Sequence, residues 1–392
     1  FSIAVHVFLL QQILFRLNFL AWKSPAISST ESNKMYRLRS LLLVIALDLV
    51  AATLICPSKT TADDVLQEQN LSGKFALVTG GDSGLGFSIA LALAKRGAEV
   101  VIANHNATSG EIAAKNLSKL SGSKVEALPL NLGSLQSVRN TFESFQQKYG
   151  ARPLNFLIND AGITGRSTMT EDGFERNFEV DFLGHFLLTD LLLPALRRGA
   201  PSRVVIVSSG AHENACEAVG WPRDCFKDFT YLPPPVVPQK EVTIHTRLGP
   251  VQQNSSTYGI AKFLNAQHAA ALATREAEHG IQSCSLTPGF VLTSMTERFM
   301  NTSGAEAICK QQRHPDPSIP ENPCPFSSDE GAAVLAFCAT GQIRSGAYYS
   351  RDFACQERPI AMQGFTETMQ LELYEKALDW VKPPTVVHSV VV

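Results

Sequence analysis

Tyr258 and Lys262 place a phenol and an ammonium four residues apart. On a helix this spacing puts both on one face. A free tyrosine titrates near about pH 10. To pass a proton at neutral pH its pKa must fall, and a nearby cation lowers it. Ser209 closes an apolar run and can donate a hydrogen bond to a substrate oxygen, steadying charge that develops there. Taken alone, these residues would be a surface pair and a capping serine. The segments around them argue otherwise.

Thr79-Gly-Gly-Asp-Ser-Gly-Leu-Gly86 follows the apolar run 75–79 and opens a helical segment at 86–96. Gly80 and Gly84 permit tight or positive-φ turns, and Gly86 lets the helix pack close to a sheet. With Asp82, Ser83 and Leu85 they form a turn whose free N–H groups can hold a pyrophosphate. The end of the second strand governs which dinucleotide is held. An acid there would bind the ribose 2′-hydroxyl and favour NAD. Residues 103–106 read Ala-Asn-His-Asn, so Asn104 and His105 occupy that place and no acid does.

These residues need elements to position them, and the chain supplies a regular alternation. Strand-like apolar runs fall at 75–79, 100–103, 125–130, 156–159, 204–207 and 281–286. Segments with helical periodicity lie between them, at 86–96, 135–149 and 174–196. Near-continuous apolar strands separated by helices predict a parallel sheet covered on both faces. With right-handed crossovers this is an α/β doubly wound, Rossmann-type sheet. One catalytic domain is expected over 71–385, with inserts near 213–251 and 301–327. Both inserts are too rich in proline for a helix or a central strand. Loops leaving the carboxyl ends of strands would cover the ligand crevice. Residues 371–381, with Trp380, read as a closing amphipathic helix.

The order of these motifs resembles the short-chain dehydrogenases/reductases over about residues 71–381. The Asn159-Asp-Ala-Gly162 turn is similar to the family's Asn-Asn-Ala-Gly, and Pro288-Gly-Phe-Val-Leu-Thr293 to its Pro-Gly-x-Val-x-Thr loop. Tyr258 and Lys262 fit its Tyr-x-x-x-Lys, and Ser209 its catalytic serine. Val180-Asp-Phe-Leu-Gly-His-Phe-Leu-Leu-Thr189, Ser209-Gly-Ala-His212 and Ser345-Gly-Ala-Tyr-Tyr349 resemble the retinol-dehydrogenase and WW-domain-containing-oxidoreductase branch, in its catalytic part only. The resemblance implies that Lys262 also holds the nicotinamide ribose. It implies cofactor contacts from Asn131 and Leu132, from Asn159, Ala161 and Gly162, and from Pro288, Gly289, Val291 and Thr293. It places Asp181 where a catalytic asparagine would hold a relay water, and ionised aspartate offers only acceptors. At Asn131 the family usually has aspartate against adenine; asparagine keeps an acceptor there. Branch members have arginine in place of His105, pairing the 2′-phosphate of NADP, so NADP is the expected cofactor and NAD the alternative. His185 and His212 read as structural residues of the branch pattern.

The implied function is NADP(H)-dependent interconversion of an alcohol and a carbonyl on a small apolar substrate such as a retinoid, steroid or lipid. The competing expectation, motivated by Asp181 and the inserts, is a nucleotide-binding sensor or scaffold with weak catalysis. A third is a structural lumenal glycoprotein that binds no cofactor. The chain has 392 residues, 45% hydrophobic and 18% charged, with a net charge of −2. That charge gives no electrostatic case for nucleic acid. No metal-ligand spacing is present.

Met35, Arg37 and Arg39 precede an apolar run at 41–56, interrupted by Asp48. This pattern at 35–60 reads as a secretory signal, an uncleaved anchor or a buried helix; the run is short of the about 20 residues a span needs. Residues 1–34 hold another apolar stretch, and these segments are the candidates for membrane association. Asn70, Asn106, Asn116, Asn254 and Asn301 each begin an Asn-x-Ser/Thr sequon. Cys216 with Cys225, and Cys309 with Cys324, could each bridge an insert in an oxidising compartment, or stay free thiols. The location expected is the secretory pathway: endoplasmic reticulum lumen or membrane, or secreted.

Overall fold

The computed structural model describes residues 56–57, 59–246, 249–296, 325–360 and 365–383, with the side chains of 244–254 excepted. The expectations for residues 1–34, for most of 35–60, and for Cys309, Cys324, Asn301 and nearly all of the second insert lie outside the described residues.

Eight strands form one sheet in the order β10-β9-β8-β5-β4-β1-β2-β3. They are β1 (Phe75–Thr79), β2 (Glu99–Asn104), β3 (Val125–Pro129), β4 (Phe156–Asn159), β5 (Ser202–Val207), β8 (Ile281–Thr287), β9 (Tyr348–Ser350) and β10 (Gln356–Arg358). All neighbours pair in parallel except β10, which runs antiparallel to β9. The central strands are Val/Ile/Leu-rich because both faces are covered, as a doubly wound sheet requires. Side chains alternate across the sheet. Phe75 and Leu77 point into one apolar core; Ala76 and Val78 point into the other.

Helices α1 (Gly84–Lys95), α2 (Ala107–Ser121) and α6 (Ala333–Thr340) close one face. Helices α3 (Leu135–Tyr149), α4 (Gly184–Arg198), α5 (Tyr258–Arg275) and α7 (Glu367–Trp380) close the other. Polar N-caps start several of them: Asn106 accepts from Ser109 N–H, Ser134 from Ser137 N–H, and Thr366 from Met369 N–H. Among the described residues no helix is long and apolar enough to cross a membrane.

Three features depart from the sequence expectations. Residues Glu241–Thr246 (β6) and Gly249–Asn254 (β7) pair as an antiparallel hairpin inside the first insert. The proline run ends at Pro238, and the β-branched stretch after it is free to form a strand. Strands β9 and β10 were not expected, because three residues each are too few to show a period. Finally, Cys56 bridges Cys355, 299 residues away. The expected Cys216–Cys225 bridge is present within the first insert.

The Cys56–Cys355 link is reinforced by Arg351, whose side chain is fully buried. Its guanidinium donates to the carbonyls of Glu330 at 2.8 Å, Cys56 at 3.4 Å, Pro57 at 3.3 Å and Thr60 at 3.2 Å, and it stands over the Phe326 ring. Removing a bridge that closes so long a loop costs about 2–5 kcal/mol. A Cys56→Ser/Cys355→Ser protein is therefore expected to melt several degrees below wild type. Equal melting midpoints would show that Arg351 alone secures this end.

Candidate active site

The motif residues converge at the carboxyl ends of the parallel strands, where doubly wound sheets bind ligands. At the end of β1, Thr79 is buried and its hydroxyl accepts the N–H groups of Asp160 and Ala161, both at 3.0 Å. The first and fourth strand ends are thereby tied together. Gly80 and Gly84 take φ of +69° and +55°. A Cβ on Gly86 would lie 2.3 Å from the Gly80 carbonyl oxygen, so the turn can be wound this tightly only with glycine there. Ser83 caps α1 without any side-chain bond. Of the first-turn N–H groups that precede the first intrahelical bond, Phe87 N–H to Ser83 O at 3.1 Å, that of Gly86 is taken by Asp160, while those of Gly84 and Leu85 are open to an anion.

Tyr258 and Lys262 lie on the first turn and a half of α5. Lys262 is 2% exposed and its ammonium donates to the Val207 carbonyl at 3.2 Å. It stands 5.3 Å from the centre of the Tyr258 ring. Ser208 anchors the helix by donating to the Lys262 carbonyl at 2.6 Å. The next residue, Ser209, shares a hydrogen bond with the Tyr258 phenol. Sequence-separated hydroxyl, phenol and ammonium thus meet at one place.

Asp181 joins them from below. It sits in a π-helical turn, Glu179–Leu183, which breaks the α-helical ladder ahead of α4; such turns are frequent at functional sites. Its Oδ1 accepts from Ile163 N–H at 2.7 Å, while the buried Oδ2 has no hydrogen-bond partner. A Cβ on Gly162 would lie 3.1 Å from Asp181 Oδ1 and 3.3 Å from Lys262 Nζ, so the three residues share one corner. Burial pushes the Asp181 carboxyl up to about 7, against the pull of Lys262 and the Ile163 N–H.

A second carboxyl flanks Lys262. Asp160 accepts from Gly86 N–H, and burial likewise raises it to about 7. Sequence reasoning passed over this residue, although its signal was present: aspartate stands where the family turn has its second asparagine. Burial works against the Lys262 charge, but Tyr258, Asp181 and Asp160 outweigh that and hold its pKa above the ordinary value. The phenol departs from expectation. Its pKa lies above the ordinary tyrosine value, not below, because burial, Asp181 and Asp160 outweigh Lys262 and the Ser209 bond.

Comparison with known proteins agrees with this geometry. Residues 74–220 match the family model described as short chain dehydrogenase. The WW domain-containing oxidoreductase of Gallus gallus is 33% identical over 326 residues, covering 81% of this chain and 71% of that protein. This chain belongs to the short-chain dehydrogenases. The polyprenol dehydrogenase of Danio rerio is 45% identical over 155 residues, 38% of this chain and 46% of that protein. Two solved structures share the fold. One is an uncharacterised protein from Mycobacterium paratuberculosis, with TM-score 0.55, 24% identity, and 83% and 95% of the two chains covered. The other is L-sorbose reductase from Gluconobacter frateurii with NADPH and L-sorbose, with TM-score 0.54, 18% identity, and 74% and 98% covered.

As a short-chain dehydrogenase the chain is an NAD(P)-dependent oxidoreductase, and its residues fit a dinucleotide. The open first turn of α1 suits the pyrophosphate. Thr293 Cγ2 lies 3.4 Å from where a Gly84 Cβ would stand, so the 288–293 loop spans the glycine turn. Gly289 bends this loop at φ +74°. Asn104 and His105 end β2, and Asn131 and Leu132 follow β3. Asn131 already uses its Oδ1 to accept from Gly133 N–H at 3.1 Å. Asn159 faces away from the turn, donating to Thr189 at 2.9 Å. The buried Val291 side chain packs against Gly331 and faces inward from its loop.

Both histidines of the branch pattern are structural. Burial lowers His185 to about 3, so it is neutral. It spans 3.2 Å to the Asp181 carbonyl and 2.8 Å to the Thr79 hydroxyl, linking the glycine turn to the π-helical turn. His212 meets the Ser209 carbonyl at 2.6 Å and packs edge-on against Tyr348.

Proposed function

We propose that this chain interconverts an alcohol and a carbonyl on an apolar substrate using NADP(H), with Tyr258 as proton donor and acceptor. The meeting of Ser209, Tyr258 and Lys262 beside the glycine turn carries this reading. The dinucleotide, when bound, supplies or accepts the hydride. Ser209 hydrogen-bonds the reacting oxygen, Tyr258 gives or takes its proton, and Lys262 steadies the charge on the phenol. His105 is the basic group available to a 2′-phosphate; NAD(H) is the alternative cofactor.

Exposed apolar residues on segments that leave the carboxyl ends of the strands support an apolar substrate. Met169 is 58% exposed, Leu292 44% and Val236 39%, each on a segment leaving the carboxyl end of β4, β8 or β5. A relative named for a polyprenol points the same way. The measurement is NADPH oxidation with retinal, steroid ketones, fatty aldehydes and a polyprenal, across about pH 5 to 9. Turnover with one of these apolar carbonyls is expected. Absence of turnover with all of them, while NADPH binds, favours the sensor reading that the two carboxyls beside Lys262 motivate.

The same proposal places the protein in the secretory pathway. Two disulfides secure the fold, and the sequon residues Asn70, Asn106 and Asn116 are all exposed. Protein made in secretory cells is expected to lose mass on treatment with an N-glycosidase; an unchanged mass counts against this location.

A further inference from the structure

The glycine turn carries one charged group that the mechanism does not use. Asp82 is held against the end of β2: its N–H donates to Asn104 Oδ1 at 3.0 Å. Its carboxylate accepts from Ser109 Oγ at 2.6 Å. Ser109 lies in the first turn of α2, where its own N–H donates to the cap residue Asn106 at 3.0 Å. The Asp82 carboxylate therefore sits at the N-terminus of a fifteen-residue helix, where the helix dipole favours an anion. A carboxylate contributed by the glycine turn thus stands beside the strand end at which an acid of β2 itself would stand.

The two segments that hold Asp82 give it no counter-charge from Lys or Arg. Neither residues 80–86 nor residues 103–110 include one, and the only basic group among them is the exposed His105. A ribose 2′-hydroxyl can donate to a carboxylate at this edge. A 2′-phosphate brings about two negative charges to it, and like charges within a few ångströms repel. The α2 terminus, which would otherwise suit that phosphate, already faces Asp82.

We infer that Asp82 narrows the NADP(H) preference of this site, by accepting from a ribose 2′-hydroxyl and opposing the 2′-phosphate that His105 would receive. Asp82 does from the first turn what an acid at the end of β2 does in NAD-selective sites. The inference rests on the proposed dinucleotide-binding reading, and goes beyond it by naming the residue that restrains its NADP(H) preference.

Equilibrium binding of NADH and NADPH, by calorimetry, to wild type, Asp82→Asn and His105→Ala tests it. Asp82→Asn keeps the shape and removes the charge. The ratio Kd(NADPH)/Kd(NADH) is expected to fall about tenfold in Asp82→Asn, as for the loss of one partly screened like-charge contact. The same ratio should rise in His105→Ala. A melting midpoint within a degree or two of wild type shows that the turn is intact. A ratio that moves less than about twofold in Asp82→Asn, or equal weakening of both nucleotides, overturns the inference and leaves Asp82 a scaffold of the turn. Wild-type protein that binds neither nucleotide overturns the dinucleotide reading itself.

Discussion

Tyr258→Phe is expected to lower kcat by about 10²- to 10⁴-fold, the range for loss of a positioned proton donor, while leaving the dinucleotide Kd within a few-fold. The phenol is the group that Ser209 holds at the mouth of the site, and the phenyl ring that replaces it fills the same space. KM for the carbonyl substrate should change little, because the proton is transferred in the transition state and not on binding. The electrostatics of the free protein add a direction. Burial, with Asp181 and Asp160, keeps the Tyr258 pKa above the ordinary value. The phenol is therefore protonated at neutral pH and ready to donate, which suits carbonyl reduction. Alcohol oxidation needs the phenolate, and should gain rate as pH rises. A Tyr258→Phe protein within about tenfold of wild-type kcat would remove Tyr258 from the chemistry.

The site was legible wherever chemistry travels with a local pattern. Thr79 to Gly86 announces a strand, a turn and a helix in eight residues, and 75–79, 135–149 and 156–159 matched their elements end to end. Tyr258 and Lys262 needed only one helical turn. What escaped depends on residues far apart. Cys56 looked like the end of an apolar leader because its partner, Cys355, is 299 residues on. Arg351 gave no sign in the sequence that it would be buried against four carbonyls. Asp82 was read as part of a phosphate turn, and its pairing with Ser109 depends on how α2 docks. The phenol's pKa was misjudged for the same reason: Lys262 is a neighbour in sequence, whereas Asp160 and Asp181 reach the phenol only through the fold.

Asp181 gives the second large effect. Below about pH 7 it is a carboxylic acid, and its unpartnered Oδ2 can carry a proton toward a relay water, as an amide N–H would. Above that pH it is a carboxylate facing Lys262, with Glu175, Arg176 and Tyr258 also in range, and it can no longer donate. Wild-type carbonyl reduction is therefore expected to slow as pH rises through about 7. Asp181→Asn restores a donor at every pH. It should match wild type within a few-fold near pH 6 and exceed it by about 10- to 100-fold in carbonyl reduction at pH 9, since two pH units above a pKa of about 7 leave only about one carboxyl in 100 protonated.

Stability carries an independent readout of the same proton. The Asp181 pKa is about 7 in the fold, against a reference of 3.8. Between those values the folded chain holds a proton at Asp181 that the unfolded chain has released, so this carboxyl's contribution to stability falls as pH rises from about 4 to about 7 and is level above. Asp160, Asp352 and Glu179, raised alike, add slopes of the same sign, while His185 and His268, lowered to about 3 by burial, contribute slopes of the opposite sign below about pH 6.5. Asp181→Asn should remove that residue's slope alone, so the variant gains stability relative to wild type as pH rises from about 4 to about 7. Denaturant midpoints from pH 4 to pH 9 measure this. Parallel pH profiles for wild type and variant, in both stability and turnover, would mean that Asp181 stays ionised throughout and has no part in the relay.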